Sequence, residues 1–182
     1  MEKLLFINAC VRQCSRTLYL CKEYLKTLKN CEITEEDLKT TPLKPLTQEA
    51  LLLREENKTP ESLRLLAERF SRADKIVIAA PYWDCSFPAI LKLYIENICI
   101  NGITFSYDKE GKPKKLCRAK SLTYITTAGG YLKEANSVRL YFEELCGLFS
   151  IPRFNFYAAQ ELDVFPEKEG EILKNALLEI IK

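Results

Sequence analysis

Histidine is absent from all 182 residues, and no other absence removes as much chemistry. Without an imidazole there is no base for a Ser–His or Cys–His nucleophile pair. Zinc sites that use histidine are disfavoured as well, and the eight cysteines, at 10, 14, 21, 31, 85, 99, 117 and 146, nowhere show C-x-x-C spacing. Charge of one sign is also lacking: 27 basic residues stand against 25 acidic ones, a formal charge of +2. That leaves no basic footprint for nucleic acid. No apolar run approaches the about 18 residues needed to cross a bilayer. The opening MEKLLFINAC has neither the basic region nor the long apolar segment of a secretory leader. The expectation is a cytoplasmic chain without a nucleic-acid or membrane partner, its cysteines reduced and used in packing. Any chemistry must come from another acid–base group or from a bound cofactor.

What is present is an alternation. KLLFIN (3–8) is a short continuous apolar run, as in a strand covered on both faces. Leu18, Cys21, Leu25 and Leu28 then follow helical spacing, predicting a helix from about Ser15 to Leu28. CEITEEDL (31–38) alternates like a less buried strand. Residues 39–59 form a long connection in which TQEALLLREENK could add a short helix, and Leu63, Leu66, Ala67 and Phe70 mark a helix after Pro60. KIVIAA (75–80) is the clearest buried strand, and the helix after it carries Ile90, Leu91, Tyr94, Ile95 and Ile98 inward. GITFSYDKEGKPKKLCRAK is an excursion with a turn. SLTYITTA (121–128) and RFNFYAAQ (153–160) are further strands, each followed by an amphipathic helix. The fold class is therefore α/β over residues 1–182 as one domain: a doubly wound parallel sheet of five strands with helices on both faces. In such sheets ligands bind beyond the carboxyl ends of the strands, which selects the loops 9–16, 81–87 and 128–136.

Each of these loops carries residues suited to a ligand. ACVRQCSRT brings Arg12, Ser15, Arg16 and Thr17 to a helix start, where hydroxyls, guanidinium groups and unpaired amides together hold a phosphate; a plain serine N-cap is the simpler reading of Ser15. Neither GxGxxG nor GxxxxGK[ST] occurs. APYWDC places Pro81, Tyr82, the only tryptophan, Trp83, and then Asp84 and Cys85 in a turn. TTAGGYL (126–132) puts Gly129 and Gly130 at a strand end, for close approach to a ligand or for a positive φ. A monophosphate pocket, an aromatic wall and a close-approach loop on one sheet edge are the requirements of FMN.

The chain resembles the flavodoxin-like NAD(P)H-dependent oxidoreductases, most closely the FMN-dependent NADH-azoreductase and quinone reductase group, from Lys3 to about Phe156. AAPYWDCSFPAILKLYIENICINGITFSY (79–107) carries most of the resemblance. It implies that Cys10, Ser15 and Thr17 occupy the family's phosphate-binding serine positions, and that Tyr82, Trp83, Asp84 and Cys85 occupy its Met-Tyr-Asn-Phe loop around the flavin ring. It places Thr127, Ala128, Gly129 and Gly130 on the family's Ser-Arg-Gly-Gly loop, with Tyr131 bordering the substrate. Cys10 stands in place of a hydroxyl, and Asp84 where asparagine is usual.

The implied activity is ping-pong hydride transfer through flavin N5 from NADH or NADPH to a quinone, azo compound or nitroaromatic. No catalytic side chain and no metal is implied. A homodimer is expected, with the helix 88–100 and the GITF segment at the interface, because these residues exceed the apolar content of one inward stripe. Three other readings compete. A one-electron flavodoxin-type carrier is disfavoured by the near-neutral charge. An iron–sulfur flavoprotein lacks a compact cysteine cluster. A flavin-free module on the same fold is the third.

Overall fold

The computed structural model describes residues 1–182. Five strands, β1 (Glu2–Asn8), β2 (Cys31–Asp37), β3 (Lys75–Ala79), β4 (Leu122–Thr127) and β5 (Phe154–Ala159), form one sheet in the order β2-β1-β3-β4-β5, and every neighbouring pair is parallel. Parallel neighbours cannot be joined by a tight hairpin, so each connection crosses over through helix. The helices are α1 (Arg16–Thr27), α2 (Gln48–Glu55), α3 (Glu61–Arg72), α4 (Ala89–Ile98), α5 (Ser137–Phe149) and α6 (Glu169–Ile180). The α/β expectation and the flavodoxin-like strand order are both realised. No helix is long and apolar enough to cross a membrane.

The sheet divides two cores. Leu5, Ile7, Ile76, Ile78, Leu122 and Tyr124 face α3, α4 and α5 in a cluster of 26 buried residues, and Leu4, Phe6, Val77 and Ile125 face α1 and α6 in a cluster of 14. Alternation along β1 and β3 feeds both clusters, which is why those strands read as continuous apolar runs. β4 is buried along its whole length, whereas β2, on an edge, is largely exposed.

Order 2-1-3 fixes where a ligand can sit. The chain leaves β1 toward one side and β3 toward the other, opening a crevice at their carboxyl ends. Asn8 lies beside Ala79 there. Beyond β2, helix α2 buries none of its own residues. It is tied down by Arg54, whose guanidinium donates to the carbonyls of Glu96, Asn97 and Cys99 at 3.1, 3.1 and 3.0 Å, satisfying groups that α4 leaves open at its end.

The apolar surplus of 88–105 has an outlet inside the chain. Leu91, Tyr94, Ile95, Ile98 and Ile100 are buried in the larger core, and Ile90, Ile103 and Phe105 pack against it. Thr104, also buried, caps this packing by donating to the carbonyl of Ile98. Spacing along a helix does not register the 99–121 excursion, whose Ile100, Cys117 and Ala119 join the same core. The apolar side chains that do remain exposed include Leu51, Leu52 and Leu65, on α2 and α3.

Candidate active site

Three loops meet at the crevice, and a fourth joins them. A pocket of about 170 Å³ there is lined by Val11, Arg12, Cys14, Ser15, Arg16, Thr17, Pro81, Tyr82, Trp83, Thr127, Ala128, Gly129 and Asp163. Of the residues selected from sequence, it brings together Arg12, Ser15, Arg16, Thr17, Pro81, Tyr82, Trp83, Thr127, Ala128 and Gly129. It does not include Cys10, Asp84, Cys85, Gly130 or Tyr131. A larger hollow of about 810 Å³ lies between the outer faces of α1 and α6, against Leu18, Tyr19, Leu173 and Leu177. It reaches the first loop at Gln13–Arg16, but its walls include nothing from the aromatic loop after β3 or the glycine loop after β4, whereas the smaller pocket joins all of these at the carboxyl ends of the strands and is the better candidate.

The first loop is built to offer main-chain donors. Ser15 caps α1, its Oγ accepting from the Leu18 amide at 3.2 Å. The amides of residues 11–17 have no acceptor within the chain, while the Cys10 amide just before them is held by Asn8 Oδ1 at 3.0 Å. Seven consecutive free N–H groups leading into a helix start make an arrangement suited to an anion. Thr17 is buried, and its hydroxyl lies 2.6 Å from that of Thr127, tying the first turn of α1 to the end of β4.

Cys10 plays a different part from the one its position suggests. It is fully buried, its Sγ faces the carbonyl of Ala79 at 3.5 Å, and burial pushes its thiol up to about 11. It packs the crevice from below and presents no ligand atom to it. The physical reason is the strand: Cys10 continues the inward face of β1 toward α1, where a small apolar side chain fits.

The aromatic loop makes a tight hairpin. Trp83 and Ser86 exchange backbone hydrogen bonds at 2.9 and 2.7 Å, and between them Asp84 and Cys85 both take left-handed conformations, φ 50° and 60°. Paired left-handed residues are the geometry of a type I′ turn, ordinarily the place for Asn-Gly. Ser137, at the start of α5, donates its hydroxyl to the Cys85 carbonyl. The turn leaves the Asp84 and Cys85 side chains exposed and their amides without partners. Tyr82 packs on the larger core, and the Arg12 guanidinium lies 5.8 Å from the centroid of the Trp83 ring, so the first two loops touch across the crevice.

In the third loop the positive-φ reading does not hold. Neither Gly129 nor Gly130 has a positive φ. A Cβ on Gly129 would meet Asp163 Oδ2 at 2.1 Å and Cγ at 2.8 Å, whereas one on Gly130 would meet nothing within 4 Å. The close approach is therefore made at Gly129, by an acid from the loop after β5. Main-chain bonds lock the two loops together: Leu162 to Ala128, Asp163 to Gly129 and Glu161 to Gly130, at 3.2, 2.9 and 3.1 Å. The amides of Gly129, Gly130 and Tyr131 stay free, and the Tyr131 side chain is exposed.

Arg16 is also placed differently from expectation. Its Nη2 pairs with Asp163 at 2.7 Å, and its Nη1 reaches Glu169 at 3.5 Å and the Leu162 carbonyl at 3.4 Å. Sequence reasoning selected the loops after β1, β3 and β4 and passed over the one after β5, which ends on the same edge. Asp163 was missed for that reason, and Val11 and Cys14 because neither carries a charge or a hydroxyl and neither falls on a position that the resemblance marks.

Comparison with known proteins agrees with this architecture. A family described by its flavodoxin-like fold matches residues 2–182. An FMN-dependent NADH:quinone oxidoreductase 2 of Clostridium acetobutylicum is 38% identical, with 97% of this chain and 95% of that protein aligned. An FMN-dependent NADH:quinone oxidoreductase of Caldicellulosiruptor saccharolyticus is 34% identical over 98% of this chain and 96% of its own. Among solved structures, an FMN-dependent NADH-azoreductase of Bacillus anthracis in complex with FMN superposes with a TM-score of 0.83 at 22% identity, covering 99% of this chain and 96% of that one. The chain belongs to the flavodoxin-like family, and its curated relatives in these comparisons are FMN-dependent NADH:quinone oxidoreductases.

Proposed function

We propose that this protein is an FMN-dependent oxidoreductase that takes electrons from NADH and reduces a quinone or an azo compound at the carboxyl edge of its sheet. The observation that carries the reading is the run of free amides at 11–17, opening beside Tyr82 and Trp83. That donor set fits a phosphate monoester next to a flat aromatic system. The names of the relatives supply the cofactor, the donor and the quinone acceptor. A pocket of about 170 Å³ is smaller than the about 300–1,000 Å³ usual for small-molecule sites. It therefore suits the phosphate end of FMN, with the aromatic rim left for the wider end.

When bound, FMN supplies the redox centre that accepts hydride from a nicotinamide and returns it to an acceptor. The chain's own contribution is placement. Ser15, Thr17 and the 11–17 amides hold an anion, and Arg12 adds an unpaired positive charge. Tyr82 and Trp83 provide aromatic faces, and the amides of 84, 85 and 129–131 offer donors to a polar ring edge. With no histidine in the chain, the reading includes no side-chain base. Rate then depends on how well donor and acceptor are stacked in turn, and nitroaromatics fall within the same acceptor class.

Steady-state kinetics of the FMN-loaded protein with NADH and a quinone should give parallel double-reciprocal lines, the mark of two half-reactions at one site. Intersecting lines would remove that mechanism. If neither NADH nor NADPH bleaches the bound flavin anaerobically, a one-electron carrier replaces the enzyme. A homodimer is part of the proposal, with the helix 88–100 and the GITF segment at or near the interface. Sedimentation at micromolar concentration should show two chains per particle, and a monomer would sink that part.

A further inference from the structure

The loop after β5 does more than close the sheet. Its backbone is bonded to Ala128, Gly129 and Gly130 at three successive points, and the Asp163 carboxylate fills the space that a side chain at 129 would need. The other oxygen of that carboxylate holds Arg16. One segment, 160–169, thus grips both the glycine loop and the first turn of α1, two of the walls of the pocket.

The charges are unequal. Around Arg16 stand two carboxylates, Asp163 and Glu169, against one guanidinium. The Leu162 carbonyl takes up further donor capacity of Arg16. Arg16 is therefore turned toward protein acids, although it occupies the first position of the helix that offers its free amides to the pocket. Arg12, in contrast, makes no ion pair and lies over Trp83 at the mouth.

We propose that Asp163 is a positioning residue that withholds Arg16 from the ligand anion, so that the phosphate is held by main-chain amides, hydroxyls and Arg12 alone. The inference rests on the reading that an FMN phosphate occupies the 11–17 loop. Its functional content is specificity. A pocket that meets a phosphate mainly with neutral donors and one exposed arginine binds it less tightly than one with a bidentate guanidinium fork. By withholding that arginine, Asp163 sets how strongly FMN is preferred over the same flavin without its phosphate.

The test is the ratio of riboflavin to FMN dissociation constants, measured by flavin fluorescence quenching, for the full chain and its variants. Arg12→Gln should lower the FMN preference about tenfold, the scale of one charge-assisted contact. Arg16→Gln should change it less than about threefold, since that charge is already neutralised. Asp163→Asn, which keeps the volume beside Gly129, removes a like charge and loosens the guanidinium, so the FMN preference should rise about tenfold. Adding Arg16→Gln to Asp163→Asn should abolish that rise. Riboflavin affinity should stay level throughout, which a merely structural role for Asp163 would not produce. Arg16→Lys, which retains the ion pair, should match the unsubstituted chain and guards against a folding defect in Arg16→Gln. If Arg16→Gln costs as much as Arg12→Gln, or if Asp163→Asn leaves the ratio unchanged, the inference is overturned while the site stands. If Arg12→Gln and the joint loss of the Ser15 and Thr17 hydroxyls are both silent, the phosphate is elsewhere and both readings fall.

Discussion

Replacing Ser15 and Thr17 together by alanine should weaken FMN binding at least tenfold more than it weakens riboflavin binding. The two hydroxyls stand on the first turn of α1 and its cap, among the free amides of 11–17. A hydrogen bond to a charged group is worth about 1.5–3 kcal/mol, so losing two of them to a phosphate passes the tenfold mark with margin. The substitution also removes an N-cap, which costs about 1 kcal/mol of helix stability, and it frees the Thr127 hydroxyl from its 2.6 Å contact. These structural losses touch both flavins equally, and the comparison separates them from the loss of a phosphate contact. An unchanged FMN dissociation constant would falsify the assignment of the phosphate to this loop.

The second large effect lies in the core. Phe142 of α5 is fully buried, with ring centroids 4.8 Å from Tyr124, 5.3 Å from Tyr141, 5.5 Å from Phe87 and 6.1 Å from Phe154. Phe142→Ala should cost about 3–5 kcal/mol, because a cavity ringed by other aromatics cannot collapse. At about 2–4 °C per kcal/mol for a chain of this size, the midpoint should fall by roughly 6–20 °C. Phe87 follows the Trp83–Ser86 turn, and Ser137, on the same helix as Phe142, holds that turn. The variant should therefore loosen the aromatic wall as well as the core. Urea unfolding of the flavin-free protein gives the stability change, and a loss below about 1 kcal/mol would show that the ring cluster relaxes.

The fold was legible wherever burial imposes a pattern. KIVIAA reads as a strand because β3 is covered on both faces, and its neighbour α4 reads as a helix because Leu91, Tyr94, Ile95 and Ile98 recur at helical spacing. The site was legible in its loops but not in all its contacts. Arg16 and Asp163 are 147 residues apart, and no local pattern marks their pairing. Arg16 therefore looked free. Cys10 was given a ligand role by position in a motif, when its place on the inward face of β1 already pointed to packing. The apolar surplus in 88–105 is a weaker argument for an interface than it looks, because periodicity counts apolar residues without saying which of them the chain itself covers. The two glycines were seen as a pair, but only the fold distinguishes Gly129, which has an acid against it, from Gly130, which has none.

The free amides of 11–17 bear on how such a site is inherited. A donor that belongs to the main chain survives almost any substitution of the side chain attached to it, provided the turn keeps its shape. Val11, Arg12, Gln13 and Cys14 are all exposed, so on the proposed reading three of these positions can drift with little effect on an anion held by their amides, and only Arg12 carries a charge worth keeping. The same holds at Asp84 and Cys85, where the turn is anchored from outside by Ser137. Ancestry in this pocket is thus recorded less in the letters that line it than in the buried residues that pin its backbone, Asn8, Thr17 and Thr127 among them. A lineage of such chains could exchange most of its visible loop residues and still pass on the same cradle.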